Sequence, residues 1–270
     1  METPVVDLWL CSLSDLDEGT DHVSRLKQKL TDDEVAKVER YRMPSSKIQA
    51  LYVRNYLREV LSFYSDLAAE EWRFEYGEKG KPRLIAEQQH KTGLNFNISH
   101  SQEHLLIAVC HTKGQPLQLG VDIEHARSST NITAIMKHYF SEFEINDLLG
   151  LDEVSQRERF FDLWALKESY IKATGKGLAT SLKSFSFDFS NLTQQTLPLH
   201  SSGLQPELHD EIIVLNGVGL DAAEQGNAST DWQCSLGRLD NQFRFAVTLG
   251  GATLPMQLEM KCFPKFKLLG

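Results

Sequence analysis

Twice along this chain, segments with helical patterning give way to short apolar runs with strand patterning, and that order restricts the fold more than any other feature. The first helical block holds TDDEVAKVERYR, from Thr31, with acids in its first turn, and SKIQALYVRNYLREVLSFYSDL, from Ser46, a long pattern with few breakers. Both predict helices. After GEKGKP at Gly77–Pro82 the runs LNFNIS, LLIAVC and LQLGVDIE are short, apolar and bounded by turn-forming or polar residues, as strands are. Helical signals return from Ile132, and strands resume at FSFDFS, EIIVLN, WQCSLGRL and FRFAVTL. A chain of 270 residues has room for two compact units. The order therefore predicts an α+β fold of two similarly built halves, 1–116 and 117–250, each a small antiparallel sheet packed with helices, followed by a C-terminal tail at 251–270.

Charge narrows the partners. A net charge of -9 and a pI near 5.5 argue against a nucleic-acid binder, which needs a basic face to neutralise phosphates. A polyanionic ligand must then be held by a few placed cations. No apolar run is long enough for a bilayer, and METPVVDLWLCSLSDLDEG lacks the basic-then-apolar pattern of a secretory leader. A cytoplasmic protein with no membrane contact, acting as a monomer, is expected. Cys11, Cys110, Cys234 and Cys262 are far apart, with no paired spacing, and read as reduced, buried thiols. Asn97, Asn131, Asn191 and Asn227 each open an Asn-x-Ser/Thr triplet, which matters only in a secreted chain.

Three motifs carry chemistry. If LGVDIE, Leu119–Glu124, is a strand, Asp122 and Glu124 project from one face while Val121 and Ile123 project from the other. Like charges so close raise one another's pKa unless a cation sits between them, and such hard oxygen ligands suit Mg²⁺ with substrate phosphates. A strand end reaching solvent is the plainer reading of these two residues alone. In SQRERFFDLWALKESYIKATGKGL, Ser155 and Glu158 have capping-box spacing, Phe160 and Trp164 form an apolar stripe, and Gly175 is a C-terminal stop. Glu168 and Lys172 are neighbours on one face of that helix, with Lys167 beside them; an ordinary surface ion pair is the default for the spacing by itself. GKG is not a P-loop, because no Ser or Thr follows the lysine. In FNISHS, Phe96–Ser101, no Gly-x-Ser-x-Gly elbow surrounds the serines, which removes a hydrolase triad and leaves Ser99 and His100 as phosphate hydrogen-bond donors or a polar turn.

GKP at Gly80–Pro82, FNISHS, GVDIE and WALKESYIKATGKGL, in this order and at comparable intervals, resemble the Sfp-type 4'-phosphopantetheinyl transferases from about Lys37 through FRFAVTL. The resemblance implies a cleft between two α+β halves that binds coenzyme A, and transfer of its phosphopantetheine arm to a serine of an apo acyl or peptidyl carrier protein, with release of adenosine 3',5'-bisphosphate. It implies Asp122, Glu124 and Glu168 around Mg²⁺, and Lys172 on the pyrophosphate with help from Lys167. It implies His100 at the ribose 3'-phosphate, Lys81 and Ser99 near the adenine, and Glu144 as an acid that helps activate the serine. Glu34 and Gln49 stand where relatives often carry a base for the 3'-phosphate, which leaves Lys37, with Lys47 or Arg54, to supply that charge. Glu168 is placed either to take the serine proton, directly or through a metal-bound water, or to serve only as a metal ligand.

Two other classes share parts of this pattern. A Mg²⁺-dependent nucleotide pyrophosphohydrolase needs similar acids and releases product without a carrier. A non-catalytic coenzyme A-binding module needs His100 and Lys81 but not three acids. Because this chain is itself acidic, carrier recognition is expected on a local apolar patch, with Ile145, Leu148, Leu149 and Leu178 as candidates.

Overall fold

The computed structural model describes residues 3–77, 80–177, 180–197, 199, 205–216, 227–264 and 268. The first half runs β1 (Val5–Ser12), α1 (Thr20–Gln28), α2 (Asp32–Glu39), α3 (Pro44–Leu61), β2 (Phe74–Tyr76), β3 (Pro82–Leu84), α4 (Ala86–Thr92), β4 (Leu94–Ser101) and β5 (His104–His111). The second runs β6 (Gln118–His125), α5 (Ile132–Tyr139), α6 (Glu142–Leu149), α7 (Glu153–Thr174), β7 (Phe185–Asp188), β8 (Thr193–Thr196), β9 (Glu207–Asn216), β10 (Asn227–Ala228), β11 (Trp232–Arg238) and β12 (Phe243–Gly250). The last strand is β13 (Gln257–Cys262).

The predicted helices form for the expected local reasons. At α2 the Glu34 carboxylate accepts the Thr31 backbone N–H at 3.1 Å, half of a capping box. Pro44, whose fixed φ suits a helix start, opens α3. α7 begins earlier than the Ser155 spacing suggests, because Asp152 Oδ1 accepts the N–H groups of Val154 and Ser155 at 3.0 and 3.2 Å. It ends at Gly175, which takes the left-handed φ of 68° that favours glycine.

One sheet has the order β13-β1-β5-β4, a second follows β10-β9-β11-β12-β6 with β7 and β8 also on β9, and β2 pairs antiparallel with β3 as a two-stranded hairpin. The stretch read as a tail is therefore structural. β13 pairs parallel with β1, from Val5 opposite Gln257 to Leu10 opposite Cys262, so the end of the chain closes the first half's sheet. That edge also departs from the all-antiparallel expectation, since a parallel neighbour needs no hairpin and leaves no turn signal.

Alternation along the strands sorts their side chains into different cores. Leu105, Ile107 and Val109 of β5 pack under α1–α3, whereas Leu106, Ala108 and Cys110 pack against the second sheet. On β6, Leu119, Val121 and Ile123 meet the first sheet, leaving Gly120, Asp122 and Glu124 for the side where α7 lies. The layers run helices, sheet, sheet, helices. Leu148 is fully buried and so leaves the proposed carrier patch, while Leu149 is 60% exposed and Ile145 half-buried; Leu178 lies outside the described residues. Cys11, Cys110 and Cys234 are buried free thiols, and Cys262 is partly buried. Among the described residues no helix is long and apolar enough to cross a membrane.

Candidate active site

β6 is the outer strand of its sheet, so one row of its backbone groups has no strand partner. The first half supplies side chains instead. Asn95 Nδ2 donates to Leu117 O at 2.8 Å, Lys81 Nζ to Leu119 O at 2.9 Å, and Asn97 and Ser101 accept from the N–H groups of Val121 and His125 at 2.8 and 3.2 Å. A buried backbone polar group must be paired, and this polar seam does so along the junction of the halves. Alternate positions of β4, from Asn95 to Ser101, face the seam; Leu94 and Phe96 fill the core on the other side. Asn97, from the first Asn-x-Ser triplet, is thus consumed by structure.

The seam brings Ser99 to Asp122. Ser99 Oγ donates to Asp122 Oδ1 at 2.8 Å, and Lys172 Nζ, from α7, donates to the same oxygen at 2.6 Å and to Ser99 Oγ at 2.8 Å. Asp122 is only 3% exposed, and its Oδ2 is buried with no hydrogen-bond partner. Gly120 allows the close approach of β6 to α7: a Cβ there would lie 2.0 Å from Ser169 O and 2.4 Å from Ala173 N.

Beside this knot a cavity of about 670 Å³ lies between the halves. Gly80, Lys81, Pro82 and Ile98 line it from the first half, and Glu168 and Lys172 from the second. Burial, then the charge of Asp122, then that of Glu168, push Glu124 up to about 7 against the pull of Lys172 and a hydrogen bond from Trp164. Burial and then Asp122 also raise Glu168. Burial and then Lys172 lower His100, although that side chain reaches solvent. Burial brings Lys81 down to about 8. Three acids thus surround one ammonium, and burial, with the charge of Asp122, raises two of them despite it.

A hard divalent cation answers that imbalance. Among the described residues no three acids, imidazoles or thiols already form a compact metal-binding group. The bare, buried Asp122 Oδ2 and the carboxylates of Glu124 and Glu168 are hard oxygen donors, the chemical type that suits Mg²⁺ with substrate phosphates.

Comparison with known proteins bears on the same regions. Residues 118–227 match the family model of the 4'-phosphopantetheinyl transferase superfamily, and residues 19–112 match that of the 4'-phosphopantetheinyl transferase N-terminal region. The 4'-phosphopantetheinyl transferase Sfp of Bacillus subtilis is 36% identical over 54% of this chain and 60% of its own length. The 4'-phosphopantetheinyl transferase HetI of Nostoc sp. is 32% identical over 64% of this chain and 70% of its own. The chain belongs to the Sfp-type 4'-phosphopantetheinyl transferase family. A more distant source gives the same family name: the L-aminoadipate-semialdehyde dehydrogenase-phosphopantetheinyl transferase of Pongo abelii is 33% identical over 53% of this chain and 47% of its own.

Within this transferase the expected site residues divide into two groups. Asp122, Glu124, Glu168, Lys172, Ser99, His100 and Lys81 stand at or beside the cleft. Ser99 and Lys81, expected at the adenine, spend their polar groups on Asp122 and on backbone carbonyls. Lys167 and Glu144 are not brought to the cleft. Lys167 is fully buried, with Nζ 2.9 Å from Glu144 and donating to Leu182 O and Phe185 O at 2.6 and 2.9 Å, while Glu144 caps α6 through Ser141. Position i−1 from Glu168 turns Lys167 to another face of α7. Lys37 rests with Nζ 3.5 Å from the centroid of the Tyr76 ring. Glu34 is buried against Arg58, Lys47 pairs with Glu39, and Gln49 donates to Gln102 O. Sequence reasoning missed Asn95, Asn97, Ser101 and Gly120. The alternation of Asn and Ser against Leu and Phe along β4 was the available signal.

Proposed function

We propose that this transferase moves the 4'-phosphopantetheine arm of coenzyme A to a serine of an apo acyl or peptidyl carrier protein and releases adenosine 3',5'-bisphosphate, with Mg²⁺ at Asp122, Glu124 and Glu168. The single observation that carries the metal reading is the buried, unpartnered Asp122 Oδ2 among acids that resist ionisation. Bound there, Mg²⁺ would neutralise the pyrophosphate and polarise its oxygens. Lys172 adds a second positive charge, and its tie to Asp122 directs it toward that same place. The serine Oγ forms a bond to the phosphorus bearing the pantetheine arm, and the bond from that phosphorus to the adenosine-side phosphate oxygen breaks. The serine proton passes to Glu168, directly or through a water, with that carboxylate ionised. His100, on the strand beside the cleft, is assigned to the 3'-phosphate as a hydrogen-bond donor, with Lys37, which rests on the Tyr76 ring, as the accompanying charge.

Two features support a cytoplasmic monomer. The cleft is formed within one chain, and the described cysteines are all free. The test is incubation with coenzyme A, Mg²⁺ and a panel of apo carriers, followed by mass spectrometry of the carriers. Arm addition that requires Mg²⁺ is the expected result. Nucleotide release without any carrier would instead favour the pyrophosphohydrolase, and binding with no product the passive module.

A further inference from the structure

Lys81 lies just before β3, where Gly77 N–H donates to Lys81 O at 3.0 Å and Gly80 N–H to Gly77 O at 2.8 Å. Its stem lines the cleft, but its ammonium is engaged elsewhere. Nζ donates to Lys172 O at 2.7 Å, to Leu119 O at 2.9 Å and, more weakly, to Ala173 O at 3.5 Å. An ammonium has three protons, and three carbonyls take them.

Those acceptors are ones that need a cation. The last four carbonyls of a helix lack helical donors, and the C-terminal end of the helix dipole favours positive charge; Lys172 and Ala173 belong to that last turn of α7. Leu119 O belongs to the open edge of β6. One side chain of the first half therefore ties together the two elements of the second half that carry Asp122, Glu168 and Lys172.

We propose that Lys81 is a positioning residue: it fastens the β2–β3 hairpin to the C-terminal turn of α7 and to β6, and so fixes where Lys172 stands over the cleft, without lending its charge to coenzyme A. The assignment rests on the transferase reading of the cleft. It differs from a ligand-contacting role in what it does to kinetics, because a residue that holds Lys172 in place affects the transition state more than ground-state binding.

The test compares full-length wild type with Lys81→Met, which keeps the stem and loses the charge, and Lys81→Arg, which keeps the charge on a fork of different shape. Both variants should lower kcat by about tenfold or more while KM for coenzyme A stays within about threefold of wild type. Hydrogen exchange should quicken in both at the amides of residues 172–175, independently of any transfer. A rise in KM of about tenfold in Lys81→Met with kcat retained, reversed in Lys81→Arg, would place the charge on coenzyme A and overturn the proposal. Unchanged kcat with unchanged exchange in Lys81→Met would overturn it as well. Should Lys81→Met fail to fold, Lys81→Arg decides through its kcat-against-KM split together with exchange at residues 172–175, which a purely ligand-contacting role would leave unchanged. Absence of transfer by wild type would sink the reading of the cleft, while the exchange comparison would still judge Lys81.

Discussion

The two oxygens of Asp122 have different tasks: Oδ1 is held by Ser99 and Lys172, and Oδ2 is bare. Asp122→Asn should keep the fold, because an amide can still meet Ser99, yet lower transfer by about two to three orders of magnitude, a loss typical of removing a charge that faces the transition state. Thermal unfolding checks the first outcome and carrier-loading rates the second; Glu168→Gln should behave alike. Glu124 gives a pH prediction for chelator-treated protein. Its folded pKa is raised from 4.5 to about 7, so between those values the native state binds more protons than the unfolded one and stability must fall as pH rises. Unfolding in excess chelator should therefore be easier at pH 8 than at pH 5.5, and Mg²⁺ with coenzyme A should shrink the difference. A flat profile would deny Glu124 its burial beside Asp122. At this scale the sequence was informative wherever spacing is local. Two residues along a strand or four along a helix place Asp122 by Glu124 and Glu168 by Lys172, whereas the burial of Lys167 with Glu144 depends on what packs over that face of α7.

The contact between β6 and α7 decides whether those local pairs meet one another. Gly120 is the tightest point, and a methyl group there would overlap backbone that cannot swing aside. Gly120→Ala should cost about 1–3 kcal/mol, as overpacking does, and should also remove transfer by parting Asp122 from Lys172. Gly237→Ala is the control: its Cβ would strike the Phe245 ring, 1.9 Å away, in the core between the sheets, so stability should fall in both variants but loss of the Asp122–Lys172 pairing only in the first. Urea unfolding and loading assays of the pair would separate the effects. Helices α2, α3 and α7 were legible because capping and periodicity are written within each segment. The polar seam was not, because Asn95 and Ser101 have meaning only once the open edge of β6 lies opposite them.

Across the whole molecule, the four layers put the cleft at a junction sealed by side chains, in a chain whose net charge is -9. Carrier recognition should accordingly respond weakly to salt, with KM for the carrier rising less than about threefold when ionic strength shortens the Debye length from 10 Å to 3 Å. A steep rise would reveal a basic docking face. The two-halved architecture was legible from the repeated order of helical and strand signals; the membership of β13 in the first sheet was not, for its partner lies at the other end of the chain. That pairing has a consequence for synthesis. A ribosome releases Val5–Ser12 long before Gln257–Cys262 exists, so the growing chain must carry β1 with one flank exposed until that later strand has been made. A product halted before residue 257 would keep that exposure permanently, and strand flanks of this kind recruit other chains. Deleting residues 257–270 should therefore yield aggregates on expression where the full chain stays dispersed, a difference that sedimentation of the two lysates would show.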